Sequence, residues 1–152
     1  AATEIDRSVG DNMGPVIARS AGSFRVDIDA GTHKLVADEP ATAGGTDKGP
    51  TPYDLISSAL AACTSMTMHF LAKRDNIPLE GVEISVANDR MYAKDCADCT
   101  SQSGYIHRFD VQIKLRGNLT AEHRQKLLDA AHRCPVRKTL TNEIRIEDKL
   151  VD

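Results

Sequence analysis

The sequence predicts a single α+β domain in which antiparallel sheet is combined with two principal helices. Two observations predict this class. Apolar residues alternate over several short segments, as in half-buried strands, and recur every three or four residues over two longer segments, as in helices. The predicted order is β-β-α-β-β-α-β, without repeats or interior linkers, so we expect residues 1–152 to form one domain.

The N-terminal part of the chain predicts a β-hairpin. Residues 23–29 and 33–38 have strand character, and the turn at 30–32 contains Gly31, whose permissive backbone suits a tight reversal. A segment rich in Gly, Pro and Thr follows over residues 39–50, which predicts a loop.

The strongest helix signal in the sequence covers about residues 51–74. Thr51 is a good N-cap, Pro52 suits the first helical position, and Asp54 at the third position can reach back to the cap. Apolar or small residues then recur at helical spacing: Leu55, Ile56, Ala59, Leu60, Cys63, Met66, Thr67, Phe70 and Leu71. Because small residues are dense here, we expect a central, buried helix.

The second half of the chain repeats the strand–strand–helix pattern. Alternating residues predict strands at about 81–92 and 105–116, separated by a polar loop at 93–104. Thr120 predicts the start of a second helix that ends near Arg133. The apolar face of that helix is expected to contain Leu127, Leu128 and Ala131, and Ile144 and Ile146 suggest a closing strand.

Composition and charge argue against several function classes. The net charge is −3, the basic residues are scattered, and Trp is absent, so neither a phosphate-binding stripe nor a stacking platform for nucleic acid is expected. The longest apolar run is shorter than the roughly 20 residues that span a bilayer. The first thirty residues have no apolar signal core. We therefore expect a cytoplasmic protein with no nucleic-acid or membrane partner and no cofactor.

Two cysteines far apart in sequence are the candidates for chemistry. Cys63 lies on the apolar face of the first helix, where a buried structural cysteine is the simple interpretation and activation would require a positive neighbour such as Arg. Cys134 precedes Pro135, and if residues 135–141 form a short helix, its thiolate lies at the N-cap beside free N–H groups. Local chemistry favours Cys134 as the more acidic thiol; alternatively, the Cys-Pro pair only marks a helix end.

The remaining cysteines, Cys96 and Cys99, form a C-x-x-C pair in the predicted polar loop. Asp95 and Asp98 flank the pair and should raise the pKa of both thiols, which disfavours a thioredoxin-like role. Zinc binding requires further ligands, which His107, Asp95 or a second chain could contribute, and no metal ligand is assigned. A variable loop with accessible thiols, or with a disulfide, is the remaining interpretation.

Two sequence blocks resemble the OsmC/Ohr family, named for osmotically inducible protein C and the organic hydroperoxide resistance protein. Residues 49–67 (GPTPYDLISSALAACTSMT) resemble its first-cysteine helix, and residues 133–140 (RCPVRKTL) resemble its second-cysteine motif. Their order and separation also match, and the resemblance covers about residues 23–150. It implies an intertwined homodimer in which antiparallel sheets wrap around two central helices.

The resemblance also implies an activity, the thiol-dependent reduction of organic hydroperoxides. Cys63 would be the attacking thiol that becomes a sulfenic acid, and Cys134 would resolve it as a disulfide that a dithiol later reduces. The alternative functions are a non-catalytic redox sensor and a hydrophobic-ligand binding protein of the stress response.

One position departs from the peroxidase pattern. The family's peroxidases carry a Glu near the start of the first-cysteine helix, where this chain has Tyr53 followed by Asp54. Asp54 is the carboxylate that could substitute, or it serves only as the third residue of the helix. Arg19 and Arg25 are the candidates for the activating arginine. The sequence therefore resembles the OsmC-like branch more than a dedicated peroxidase.

Overall fold

The computed structural model of the protein describes residues 14–152 and combines antiparallel sheets with helices. Within these residues it contains three α-helices, which confirms the predicted α+β class. The chain divides into two compact units, with the boundary between Leu55 and Ile56. Each unit has its own antiparallel sheet.

The sheet of the N-terminal unit has three short strands, β1 (Ile17–Arg19), β2 (Val26–Ala30) and β3 (His33–Ala37), in the order β1-β2-β3. The pairing of β2 with β3 confirms the predicted hairpin, and Gly31 in its turn has φ +64°, a conformation that favours glycine. Strand β1 was not predicted, because three exposed residues carry no periodic signal.

The loop after β3 is ordered around a buried carboxylate. Asp38 is 1% exposed and accepts hydrogen bonds from the Thr46 hydroxyl at 2.6 Å and the Lys48 backbone N–H at 3.2 Å. The Thr46 hydroxyl is the main cause that lowers the pKa of Asp38. Gly45 packs so closely that a Cβ there would lie 1.9 Å from the Glu39 carbonyl oxygen.

Helix α1 (Pro52–Arg74) begins where the sequence predicts, at a capping box. The Asp54 N–H donates to the Thr51 hydroxyl at 3.2 Å, and the Thr51 N–H donates to the Asp54 carboxylate at 3.0 Å. The predicted bounds and capping residues of this helix are therefore confirmed.

The described chain covers only one face of α1, which the sequence predicts as a central, buried helix. Met66 and Phe70 are 71% and 70% exposed, whereas the buried residues form one stripe: Leu60, Thr64, Met68, Leu71 and Ala72. The apolar residues of α1 occur on all of its faces, so their spacing did not indicate which face the rest of the chain covers. Its length and a mean hydropathy of 1.4 would suit a membrane span, although core helices of water-soluble proteins have the same properties.

The second unit contains the long antiparallel hairpin of β4 (Leu79–Tyr92) and β5 (Tyr105–Gly117), which confirms both predicted strands. The pairing runs from Leu79 opposite Gly117 to Tyr92 opposite Tyr105. Gly117 has φ +138°, and a Cβ there would lie 2.3 Å from the Pro78 carbonyl oxygen, so the end of β5 requires glycine.

Two helices follow the hairpin. Thr120 caps α2 (Ala121–His132), and Cys134 occupies the N-cap of α3 (Pro135–Thr141) with Pro135 at the first helical position, as predicted. One core cluster joins α1, α2 and the segment between α1 and β4; its buried members are Met68, Leu71, Ala72, Ile77, Leu127, Ala130 and Ala131.

The core predicts that replacing two adjacent leucines of α2 lowers the free energy of unfolding by different amounts. Leu127 is fully buried, whereas Leu128, which was predicted to share the apolar face, is 39% exposed. We expect Leu127→Ala to lower the free energy of unfolding by about 2–5 kcal/mol, because it leaves a cavity. The matched control Leu128→Ala should cost less than about 1.5 kcal/mol, since its side chain is only partly buried. Equal losses in urea unfolding would contradict this core.

The predicted closing strand at Ile144 and Ile146 is wrong. Both residues are exposed, at 53% and 77%, and no strand follows Thr141 within residues 14–152. Alternation indicates a strand only when a neighbouring edge pairs with its backbone groups. The described chain supplies no such edge to this segment.

Candidate functional site

Two thiols that are distant in sequence meet in the second unit. Cys63 is contributed by the middle of α1 and Cys134 by the N-cap of α3. Both are reduced; Cys63 is half-buried and Cys134 is 0% exposed. The two thiols lie close enough to affect each other: their contact raises the pKa of Cys63 and lowers the pKa of Cys134. Proximity of the two sulfurs is the first requirement for a disulfide between them.

Negative charge is favoured on Cys134. Burial opposes its ionisation, but the nearby Cys63 thiol and the Arg137 and Val136 backbone N–H groups stabilise the thiolate more strongly and hold the pKa of Cys134 below its ordinary value. These N–H groups are free because they belong to the first turn of α3. The sequence-based preference for Cys134 as the more acidic thiol agrees with this geometry.

The proton of the pair is favoured on Cys63. Burial in α1 and donation to Cys134 raise the pKa of Cys63, although the Val136 N–H works in the opposite direction. Cys134 is thus a neighbouring base to which Cys63 can transfer its proton to become the thiolate.

The two thiols differ in their access to a cavity in the second unit. A cavity of about 550 Å³ lies against Cys63, and Cys134 is not part of its wall. Apolar side chains line most of this cavity, and three cations lie at it: Arg74, Arg133 and Lys138. A molecule in the cavity can therefore reach Cys63 directly, with an apolar body against Met66 and Phe70.

Arg137 contributes an unsatisfied buried donor in this region. Its Nε atom is buried and has no hydrogen-bond acceptor in the described part of the chain. A buried N–H without an acceptor costs about 1–3 kcal/mol, so this group lowers the stability of the fold at this point. The sequence alone could not indicate this donor, because burial cannot be deduced from one residue.

The other predicted site residues lie in the N-terminal unit and already have partners. Asp54 belongs to the capping box of α1. Arg19 pairs with Asp29 at 2.8 Å and Arg25 with Asp27 at 3.0 Å, on exposed positions. Their assignment to the activation of Cys63 remains a prediction.

Cys96 and Cys99 form a disulfide within the loop between β4 and β5. Both residues are half-buried, and the loop is the one predicted from its polar composition. The disulfide was one of the interpretations that the sequence left open.

The pKa directions predict a stepwise thiolate titration. In a Cys96→Ser/Cys99→Ser background, one thiol should ionise below the ordinary cysteine pKa of about 8.5 and the other above it. Cys63→Ala should raise the lower pKa, because Cys134 loses its donor. Cys134→Ala should leave one titration above the ordinary value, since burial still acts on Cys63. Ultraviolet thiolate absorbance measures this; two independent titrations near the ordinary pKa would contradict the coupled pair.

These features define an α+β protein in which two free cysteines lie together and one of them, Cys63, lines an apolar cavity. The family model described as OsmC-like protein matches residues 45–149, which is more than half of the chain. The chain therefore belongs to the OsmC-like family, and the resemblance seen in the sequence is confirmed. Comparison with the curated proteins finds no match.

Solved structures of the same family share the fold. The organic hydroperoxide resistance protein OhrB of Bacillus subtilis is 26% identical, with a TM-score of 0.59, 84% of this chain covered and 89% of that chain. An organic hydroperoxide resistance protein OsmC of Legionella pneumophila is 20% identical, with a TM-score of 0.64 and coverage of 87% and 91%. A candidate organic hydroperoxide resistance protein of Vibrio cholerae, solved with captopril in one active site, is 16% identical, with a TM-score of 0.58 and 90% coverage of both chains.

Proposed function

We propose that this protein reduces organic hydroperoxides through Cys63, with Cys134 as the resolving thiol. The observation that carries the proposal is that Cys63 lines an apolar cavity and lies next to a second free thiol, Cys134. The names of the Bacillus and Legionella relatives support the same class of substrate. A dithiol is the expected reductant, and no cofactor takes part.

The first step is a nucleophilic substitution on the hydroperoxide. Cys63 transfers its proton to Cys134, and the resulting Cys63 thiolate attacks the terminal peroxide oxygen. The S–O bond forms as the O–O bond breaks, and the departing alkoxide takes up the proton that Cys63 gave to Cys134, so that an alcohol leaves and Cys134 is again a thiolate. Cys63 is then a sulfenic acid, oxidised by two electrons, and the peroxide is reduced by two.

The second step restores the enzyme through a disulfide. The Cys134 thiolate attacks the sulfur of the Cys63 sulfenic acid, the S–S bond forms, and the hydroxyl leaves as water after protonation. A dithiol then reduces the disulfide by exchange and is itself oxidised. The position of Cys134 at the free N–H groups of α3 favours the thiolate that this step requires.

We also propose that the protein works as a cytoplasmic homodimer of one-domain chains. The exposed Met66 and Phe70 support the dimer, because large apolar side chains grouped on one helix face usually mark an interaction surface. Both residues also line the cavity beside Cys63, so a second chain on this face would help to enclose the substrate.

The proposal is tested by mixing the reduced protein with cumene hydroperoxide and dithiothreitol and following peroxide loss. We expect many turnovers per chain, above the rate of dithiothreitol alone. A rate equal to that background would refute the peroxidase function. The cavity favours ligand binding as the second candidate function, which tight binding of a hydrophobic molecule to a Cys63→Ser/Cys134→Ser variant would then support.

The cations at the cavity predict a preference for hydroperoxides that carry a carboxylate. Lys138→Gln should raise KM for a fatty-acid hydroperoxide by about tenfold, because a charge-assisted contact of roughly 1.5 kcal/mol is lost. KM for neutral cumene hydroperoxide should be unchanged. Lys126→Gln is the control, since Lys126 pairs with Glu122 on α2 and is not part of this wall. Equal effects on both substrates would contradict a role in anion recognition.

A further inference from the structure

The loop that carries Cys96 and Cys99 is anchored by contacts between the end of β4 and the start of β5. The rings of Tyr92 and Tyr105 stack with centroids 4.6 Å apart, and their hydroxyls hydrogen-bond at 3.0 Å. Directly above them, the Ala93 N–H donates to the Gly104 carbonyl at 2.9 Å. The residues between Ala93 and Gly104 are therefore held at both ends by the β4–β5 hairpin.

Three ligand-type atoms converge inside this loop. The sulfurs of Cys96 and Cys99 and a carboxylate oxygen of Asp98 all lie within 4.8 Å of one another. The Cys96 sulfur is 3.4 Å from the Asp98 Oδ1 atom. In a tetrahedral zinc site with Zn–S of about 2.3 Å and Zn–O of about 2.0 Å, a sulfur and an oxygen ligand lie about 3.5 Å apart. The distance between the Cys96 sulfur and the Asp98 carboxylate therefore already matches that of two zinc ligands.

We propose that the reduced loop binds a thiophilic divalent cation of the zinc class through Cys96, Asp98 and Cys99, and that the disulfide is its metal-free state. A dithiol reductant supplies two electrons and two protons, which break the S–S bond and give two thiols. Binding of the cation then displaces both thiol protons, and water completes the tetrahedral set. Oxidation by a small disulfide removes two electrons, re-forms the Cys96–Cys99 bond and releases the cation.

The donor set selects the kind of cation. Two thiolates are soft ligands that favour zinc or cadmium, whereas calcium and magnesium prefer oxygen donors alone. Two thiolates and one carboxylate place three negative charges in a small volume, which disfavours free thiolates and therefore a thioredoxin-like exchange site. A divalent cation removes most of this repulsion, so the same acidic loop that is a poor nucleophile is a good metal ligand.

The test isolates the loop from the other thiol pair. A full-length Cys63→Ser/Cys134→Ser variant is reduced with a phosphine, which leaves Cys96 and Cys99 as its remaining thiols. Cobalt(II) is then titrated as the probe, and thiolate-to-cobalt charge-transfer absorption is followed. We expect one cobalt ion per chain, displacement of cobalt by zinc, and loss of the signal after oxidation with a small disulfide.

Two carboxylate variants of this background separate ligation from general electrostatics. Asp98→Asn should weaken cobalt binding at least about tenfold, because loss of a supporting group near a metal alone costs about 10–100-fold. Asp95→Asn, which removes an equal charge from a residue outside the converging set, should bind as tightly as the parent. Failure to form a one-to-one complex, or equal weakening by both variants, would overturn the proposal. Far-ultraviolet circular dichroism checks that each variant is folded.

Discussion

Replacing Cys63 by serine is expected to lower kcat/KM for cumene hydroperoxide by at least about a thousandfold, because the variant loses its nucleophile. Cys63 is the sulfur at the cavity wall, whereas Cys134 is completely buried. A hydroxyl in place of the thiol has nearly the same size, so the loss reports chemistry and not packing. Peroxide consumption at fixed dithiothreitol measures the effect.

The control for this variant is the removal of the other two cysteines. Cys96 and Cys99 lie in the loop of the β4–β5 hairpin and take no part in the proposed turnover. A Cys96→Ser/Cys99→Ser double variant should therefore retain the parent rate within about twofold, because neither residue takes part in the transition state in which Cys63 attacks the peroxide. If Cys63→Ser retained activity while the double variant lost it, the assignment of the two pairs would be reversed.

Replacing Cys134 by serine is expected to stop catalytic turnover after the first oxidation. Without the resolving thiol, the Cys63 sulfenic acid accumulates and proceeds to the sulfinic acid as peroxide is added. The variant also loses the sulfur that accepts the Cys63 proton, so the first oxidation itself should be slower. Intact-mass spectrometry measures the gain of one and then two oxygen atoms.

Serine is the informative substitution at this position because it is a favoured N-cap residue. Cys134 is the N-cap of α3, and serine should preserve the start of that helix, whereas Cys134→Ala should lose part of its stability. Cys134→Ser and Cys134→Ala should nevertheless accumulate the same oxidised Cys63. Steady turnover by Cys134→Ser at the parent rate would contradict a resolving role for Cys134.

Local signals allowed most of the fold to be predicted. Thr51 and Asp54 fixed the start of α1, Thr120 the start of α2, and the Cys134-Pro135 pair the start of α3, because caps depend only on neighbouring residues. Period-two alternation similarly located the long strands β4 and β5.

Features that depend on distant neighbours were not predicted correctly. The parts of the chain that pack against α1 determine that Met66 and Phe70 lie on its exposed side. The sequence of a helix with apolar residues on all faces does not indicate which face is buried. The alternation at Ile144 and Ile146 indicated a strand that has no pairing edge within residues 14–152. Strand β1 is too short to have a measurable period.

The candidate site was predictable in its residue types and only partly in its geometry. The acidity of Cys134 followed from a local N-cap argument, whereas its contact with Cys63 followed only from the family resemblance. The cavity is built from residues of α1, α2, α3 and the segment between the latter two, so no single stretch of sequence indicated it. The unsatisfied Arg137 Nε likewise depends on burial by other parts of the chain.

Peptide mapping of the wild-type protein after one equivalent of organic hydroperoxide tests the central claim most directly. The protein is first reduced, mixed with peroxide, alkylated and digested without a reductant. The account predicts one new intramolecular disulfide per chain, between the peptides that contain Cys63 and Cys134. A Cys63 that is found alkylated as a free thiol, or oxidised without a link to Cys134, would contradict it.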